Sequence, residues 1–407
     1  MAVQTLNISD SANEFVGKLN SNFNEVADQS ATIQSLSVND GADTFTQKLN
    51  GNFGELTGEM EVVSTTDDAD TFVEKLNNNF ENAGQEQPTP TYTDVDYVAR
   101  FIAEMNTKAA LMGMSNTHFV EPAGNQPSDY NSPQSYPELF LVYDRNIMSI
   151  RDALKELVYA NGIQAITNAW NYPSFTLSFN RNGNATSTTI TSTVYNNTTY
   201  QSTINSLLQD YDILGGKTGS TASRTINNKT YYGGQCLLMI VRHKASERIF
   251  ASAYIAAWTS VSQPTINKWG DSKAGLDYVV NGGNFPSLST NANRYHVIAE
   301  LTSNSNSTNI IYQNVPSGAS VDDKLIPASL TKVVTAILLA ENVQNLNFQV
   351  KIKECDRQPP TGYAFIANDE LYMNDVLKCL MVQSSNTSAL VIARVVGEIL
   401  LEKDNIK

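Results

Sequence analysis

"IPASLTKVV", residues 326–334, is the stretch on which the reading of this chain turns. The residues that follow Lys332, "VVTAILLA", are nearly all apolar, so a buried helix is predicted to open at Ser329. At i, i+3 spacing, Ser329 and Lys332 share a helix face one turn apart, and their side chains meet without any long-range folding coincidence. A serine hydroxyl is a weak nucleophile until a base takes its proton, and a lysine whose neutral form is favoured by burial is such a base. Backbone N–H groups at the helix start lie where an oxyanion would form. Alone the spacing is weak, because S-x-x-K is common by chance and a helix cap beside a surface lysine also explains it.

Two further stretches carry matching chemistry. In "MVQSSNTSALVIARVV" (381–396) a polar trio leads into an apolar helix. Ser384 and Asn386, two apart, project into one cleft from an extended loop, as a proton relay and an amide that holds a substrate backbone. In "ILGGKTGSTAS" (213–223) the glycines permit close approach of a ligand to a strand. Lys217 brings positive charge, Thr218 a hydroxyl, and the backbone past Gly219 offers the N–H of Ser220 to an oxyanion. A phosphate loop is excluded, since G-x-x-x-x-G-K-[ST] needs glycine where Tyr211 stands.

Together these make the S-x-x-K, S-x-N and K-T-G set of penicillin-binding proteins and serine β-lactamases. The flanks "DDKLIPASLTKVVTAILLAENV" and "DELYMNDVLKCLMVQSSNTSALVIAR" resemble the corresponding segments of D-alanyl-D-alanine carboxypeptidases, and "LMGMSNTHFVEPAGN" (111–125) resembles their GM-x-x-THF segment. The resemblance covers most of 93–407. It implies an α+β, penicillin-binding protein/β-lactamase-like fold: a five-stranded, mostly antiparallel sheet flanked by helices, and a helical lobe carrying the nucleophile.

The order of the motifs departs from the family. There the nucleophile comes first, S-x-N second, THF third and K-T-G last. Here THF (117–119) and K-T-G (217–219) precede the nucleophile (329–332) and S-x-N (384–386). Joining Lys407 to residue 93 restores the family order, which makes this a circular permutation rather than a fragment of two tandem domains. "GDSKAGLDYVV" (270–280) becomes the family's C-terminal helix, joined to its first strand, "RYHVIAEL" (294–301). "QCLLMIVRH" (235–243) and "RIFASAYIAAW" (248–258) read as adjacent core strands, and the Asn/Thr-rich 180–201 as hairpins and loops. The deacylating glutamate loop of class A β-lactamases has no match near "SYPELFLVYDRN", and the segment after THF lacks the usual Gly-Leu and His-Ser-Thr pattern. His118 is accordingly read as a structural residue of its turn.

The rest of the chain sets limits. Its 407 residues suffice for two or three domains, with 41% hydrophobic and 17% charged residues. Net charge is −14, and residues 1–91 hold 15 acidic against 3 basic side chains. That excess argues against nucleic-acid binding and for a soluble appendage. Cys236, Cys355 and Cys379 lack CxxC spacing and read as buried free thiols, and His118, His243 and His296 are scattered, so no metal site is expected. No run is long and apolar enough to span a membrane, and "MAVQTLNISDSANEF" shows no export signal.

"DSANEFVGKLNSNF" (10–23), "DGADTFTQKLNGNF" (40–53) and "DDADTFVEKLNNNF" (67–80) repeat the pattern D-x-A-x-x-F-x-x-K-L-N-x-N-F. Phe15, Leu19 and Phe23 form one apolar stripe on a short helix, and Asp10 stands at its N-cap. "ATIQSLSV" and "MEVVST" read as short strands between copies. The repeat resembles modules in tail and fibre proteins of phages of gut bacteria. The chain thus divides into a repeat region (1–84, a spacer or assembly module), a Pro/Thr/Gln-rich linker (85–92) and one domain (93–407) whose first helix starts near Asp94, with Val98, Phe101, Met105 and Ala109 on one face.

The resemblance implies a serine-type D-Ala-D-Ala carboxypeptidase acting on peptidoglycan stem peptides through an acyl-enzyme on Ser329. Lys332 is the general base, the Ser329 and Ser220 N–H groups are the oxyanion hole, Ser384 and Lys217 serve proton relay and electrostatics, Asn386 holds the peptide, and Thr218 the carboxylate. It implies β-lactam antibiotics as covalent inhibitors, no cofactor, and action outside the cytoplasm, at the cell envelope or from a phage virion with assembly partners on the repeats. The alternatives are a β-lactamase or esterase on the same scaffold, or a non-catalytic cell-wall-binding or virion structural protein.

Overall fold

A computed structural model describes residues 12–26, 36, 42–54, 64, 67–82, 92–124, 136, 139, 145–226, 229–259, 266–287, 292–302, 308–358 and 361–405. The chain forms two compact units, Met1–Thr91 and Tyr92–Lys407. The strands expected at 31–38 and 60–65 (Leu36 and Ser64 apart), the Asp10 cap and most of the linker lie outside the described residues.

In the first unit the three repeats are helices α1 (Ala12–Val26), α2 (Ala42–Gly54) and α3 (Ala69–Asn82). The leucine of each K-L-N triplet, Leu19, Leu49 and Leu76, is fully buried, and together with Phe23 and Leu36 these residues form one small core. A unit with so few apolar residues needs its copies to share them. The Asn20 side chain bonds the backbone of Leu36 twice, donating to its carbonyl at 3.0 Å and accepting its N–H at 2.9 Å.

The second unit opens with α4 (Asp94–Leu111), started by a reciprocal Thr93–Asp96 capping box, and buries the expected Val98, Phe101, Met105 and Ala109. Then come α5 (Ile150–Asn161), α6 (Gln164–Trp170), β1 (Ser174–Arg181), β2 (Asn184–Thr191), α7 (Gln201–Asp210), β3 (Tyr211–Thr221), β4 (Arg224–Ile226), β5 (Lys229–Tyr231), β6 (Gly234–His243), β7 (Ile249–Trp258) and α8 (Lys268–Asn281). They are followed by β8 (Ala292–Leu301), β9 (Ile310–Asn314), a 3-10 turn (Ala328–Thr331), α9 (Lys332–Asn342), β10 (Gln349–Lys351), β11 (Glu370–Tyr372), α10 (Met373–Val382) and α11 (Asn386–Asn405). The unit is α+β.

Its main sheet is five-stranded and antiparallel, in the order β3-β6-β7-β8-β9. An antiparallel sheet commonly leaves one face to water, whereas "QCLLMIV" is apolar at every position but the first and so calls for cover on both faces. The alternation of the strand sorts these residues. Cys236, Leu238 and Ile240 join the core that holds α9, and Leu237, Met239 and Val241 join the core of α8. Helix α5 packs on the first face and α8 on the second. Helix α9 is buried from Lys332 to Leu339, as a helix apolar all round must be, and touches α4, α5, α6, α10 and α11.

Two expectations need correction. The lobe carrying the nucleophile is not purely helical, for it holds a second antiparallel sheet in the order β10-β11-β1-β2. The Asn/Thr-rich stretch is entered by a hairpin that begins at Ser174 and turns at Asn182–Gly183, both at positive φ, the conformation that matches strand twist in a two-residue turn. The hairpin expected in this stretch is thus present, with Ser/Thr-rich β2 as the exposed edge of the sheet. The second correction concerns the thiols: Cys236 and Cys379 are buried as expected, but Cys355 is half-buried.

Candidate active site

Ser329 sits in the 3-10 turn that precedes α9, so the helix opens three residues later than the sequence suggests, with Lys332 as its first residue. The pairing is unaffected: Lys332 Nζ lies 2.8 Å from Ser329 Oγ and also donates to the Ala123 carbonyl. Burial pushes the Lys332 ammonium down to about 7, against an upward pull from Glu121. A lysine poised there is neutral often enough to accept the serine proton.

The residue before Ser329, Ala328, has φ +49°, and Ser384 has φ +63°. Left-handed backbone thus occurs at Ser384 itself and directly before Ser329, and it costs a non-glycine residue of order 1–3 kcal/mol and persists where packing over-determines it. At Ala328 the packing partner is Gly124, itself at φ +80°, where a Cβ would lie 1.8 Å from the Ala328 carbonyl oxygen. Glycine is required there to let the THF segment pass under the nucleophile.

Ser384 and Ser385 divide the work between them. Ser385 Oγ accepts the Ser388 N–H at 3.1 Å and caps α11, while Ser384 Oγ accepts from Lys217 Nζ at 2.6 Å. Asn386 opens α11 and is 3% exposed. Lys217 lies on edge strand β3 opposite Leu238, is fully buried, and donates as well to the Thr218 carbonyl at 2.8 Å. Burial, then the charges of Lys332 and Lys268, drive its ammonium well below the usual lysine range. Thr218 Oγ1 donates to Thr193 Oγ1 at 2.6 Å. A Cβ on Gly219 would stand 3.1 Å from the Pro327 carbonyl and 3.3 Å from the Ser329 nitrogen, so β3 runs against the nucleophile turn. Ser220, next along and opposite Gln235, is exposed.

Lys217, Thr218, Gly219, Ser329, Lys332 and Ser384 thus gather round one point, joined by contacts that span up to 167 residues of chain. Asn386 and Ser220 flank them in sequence. His118 pairs with Ile147 through its backbone.

Sequence reasoning missed four participants. Glu121 and Asn146 form a buried pair behind the base: Asn146 Nδ2 donates to Glu121 Oε1 at 2.9 Å and to Thr331 Oγ1 at 3.0 Å, and Ala123 N–H donates to Glu121 Oε2 at 2.7 Å. A carboxylate within electrostatic reach of Lys332 therefore exists, supplied by "FVEPAGN" rather than by residues 135–146. The only signal was that acidic residue two positions after THF. The other two, Thr193 and Lys268, look like loop and surface residues in the sequence. Among the described residues no cluster of His, Cys, Asp and Glu could hold a metal, and no helix is long and apolar enough to cross a membrane.

Comparison of the chain with family models, curated proteins and solved structures finds no match in any of the three.

Proposed function

We propose that Tyr92–Lys407 is a serine-type D-Ala-D-Ala carboxypeptidase on a circularly permuted penicillin-binding protein/β-lactamase-like fold. The observation that carries the reading is the meeting of two Ser–Lys pairs, Ser329–Lys332 and Ser384–Lys217, beside one edge strand. A chance S-x-x-K would not bring its lysine into the interior or set a second buried pair against the same turn.

In this reading Ser329 Oγ attacks the carbonyl carbon of the penultimate D-alanine and Lys332 takes the hydroxyl proton. The oxyanion accepts from the Ser329 and Ser220 N–H groups. As the C–N bond breaks, Ser384 hands a proton to the departing amine and recovers one from Lys217. Water then hydrolyses the ester, freeing Ser329 and the shortened peptide. Incubation with a labelled penicillin tests the proposal: intact mass gains one adduct on wild type and none on Ser329→Ala. Absence of any adduct, together with no D-alanine release from a model peptide, would sink it.

The sheet order supports the permutation, since α8 connects β7 to β8, its neighbour in the sheet, as the family's C-terminal helix meets its first strand. Helices α4 and α11 pack side by side and run the same way: the Tyr97 carbonyl abuts Gly397, and Arg100 pairs with Asp404 at 2.6 Å. A link from residue 405 back to Asp94 must therefore cover roughly 16 Å, a distance that a handful of extended residues spans. A chain opened within 282–287 and joined from 407 to 92 by a ten-residue Gly/Ser linker is expected to fold and to be acylated at the wild-type rate. Failure to fold would count against the permutation.

Glu121 favours a second reading, a β-lactamase, because a carboxylate beside the acyl site can activate water. A penicillin adduct that turns over rapidly, and that accumulates in Glu121→Gln, selects it; a persistent wild-type adduct selects the peptidase. The repeats of the first unit are proposed as an assembly module that delivers the enzyme to the wall from a virion, and detection of the intact chain in purified particles tests that.

A further inference from the structure

We propose that Glu121 and Asn146 are positioning residues for Lys332: Asn146 clamps the 120–124 segment to the turn of Ser329, and Glu121 holds Ala123 where its carbonyl meets Lys332 Nζ. The inference rests on the acyl-enzyme reading above and adds to it a part outside the three motifs, one that sets both the aim and the proton affinity of the base.

The clamp is built from one amide. Asn146 Oδ1 accepts the N–H groups of Val120 and Glu121 at 2.7 and 3.2 Å, and its Nδ2 donates to Glu121 Oε1 at 2.9 Å and to Thr331 Oγ1 at 3.0 Å. Asn146 is 2% exposed, so these bonds are made away from water, where a lost partner is costly. One turn beyond Thr331, Thr335 Oγ1 donates to the Pro122 carbonyl at 2.7 Å. Glu121 Oε2 accepts the Ala123 N–H at 2.7 Å, and the Ala123 carbonyl accepts from Lys332 Nζ. Ala123 is thus fixed on both sides. A carbonyl can only accept, so Lys332 keeps one N–H on it in either protonation state. With that N–H committed, the lone pair of the neutral amine is free for the Ser329 hydroxyl, 2.8 Å away. If the Ala123 carbonyl moved, the amine would turn with it and lose this aim.

Glu121 also supplies charge. Both its oxygens accept N–H donors, which favours the ionised form, and its pull on Lys332 is upward, against burial. The other ionisable groups around α9 do not replace it. Lys217 on β3 and Lys268 on α8 are cations, and burial pushes the Cys236 thiol on β6 up to about 12. On α5, burial holds Glu156 well above the usual carboxylate range, and Asp152 is committed to Lys155 at 3.0 Å. Lys108 of α4 pairs with Glu341 of α9, Lys378 with Asp375 on α10, and Arg394 of α11 with Asp356.

Acylation of the full chain by benzylpenicillin, followed by intact mass across a pH series and taken for the folded fraction, separates aim from charge. In wild type the rate should have its midpoint near 7. Glu121→Gln removes the charge, so its midpoint is expected to fall by roughly one unit. Asn146→Ala keeps the charge and loosens the segment, so its rate should drop by roughly ten- to a hundredfold with the midpoint unmoved. Glu121→Asp should return the midpoint to its wild-type place while the rate stays low. A midpoint unmoved in Glu121→Gln, or displaced as far in Asn146→Ala, would overturn the proposal while leaving the acyl-enzyme reading intact. So would a Glu121 effect confined to loss of the adduct, the step that water activation governs. Wild type acylated at no pH overturns both.

Discussion

The cleft beside Ser329 and the helix pair α4/α11 handle charge in opposite ways. Along the helices the cations are matched: Arg394 is 7% exposed and clasps the fully buried Asp356 at 2.7 Å, Lys353 holds Asp94 at 2.7 Å, and Lys108 holds Glu341 at 2.6 Å. In the cleft three lysines are gathered against few carboxylates, and burial depresses all three. Matched pairs maintain the fold, since breaking one strands its partner in the interior. Depressed, unmatched lysines weaken the fold and supply chemistry, which is the usual trade at a functional site. The two regions should therefore respond to substitution in opposite senses.

The largest effect is expected in the cleft. Lys332→Met should slow acylation by penicillin on the order of a thousandfold, the typical worth of a general base, while the thermal midpoint stays level or rises. A fall in stability with little change in acylation would put Lys332 among the structural charges. The converse test is Asp356→Ala, which leaves Arg394 buried without its carboxylate and should cost about 3–5 kcal/mol in denaturant unfolding. Acylation by the fraction that remains folded should be unchanged, because Asp356 lies outside the site.

A pH series separates the regions further. In the proposed function the base is the neutral amine of Lys332, so acylation is expected to climb as pH rises through about 7 and level off above it. The sign for stability follows from the same depression. Between about 7 and the ordinary lysine value the unfolded chain binds a proton that the folded chain does not, so stability increases with pH across that window. The slope should be shallower in Lys332→Met, as measured by denaturant midpoints at a series of pH values; an unchanged slope would break the contrast. The smallest effect belongs to the exposed end of the helix pair. Asp404→Ala removes the surface pairing with Arg100 and should change stability by less than about 1 kcal/mol.

What was legible in the sequence depended on how far apart the interacting residues lie. Ser329 and Lys332 are three apart, and the helix that follows is apolar, so their meeting is a local consequence of the chain. The strands at 235–243, 248–258 and 294–301 could be read because continuous or alternating apolar runs have few other uses. The β1–β2 hairpin was read within 180–201 but begins earlier, at Ser174, because Ser and Thr suit an exposed edge strand and a loop alike. Glu121, Thr193 and Lys268 could not be found this way. Glu121 acts on a lysine more than 200 residues onward, and Lys268 has the sequence context of a surface lysine near the start of an amphipathic helix.

By itself, then, the sequence determined most of the elements and the meeting of Ser329 with Lys332, because both follow from periodicity and short-range spacing. Only the tertiary structure decided which charges are stranded. Whether a lysine is solvated, paired or buried without a carboxylate depends on what the rest of the chain places around its Nζ. At Lys268 those surroundings are the Gly219 carbonyl, the Trp269 ring and the neutral thiol of Cys236, brought together from the start of α8 and two strands of the main sheet.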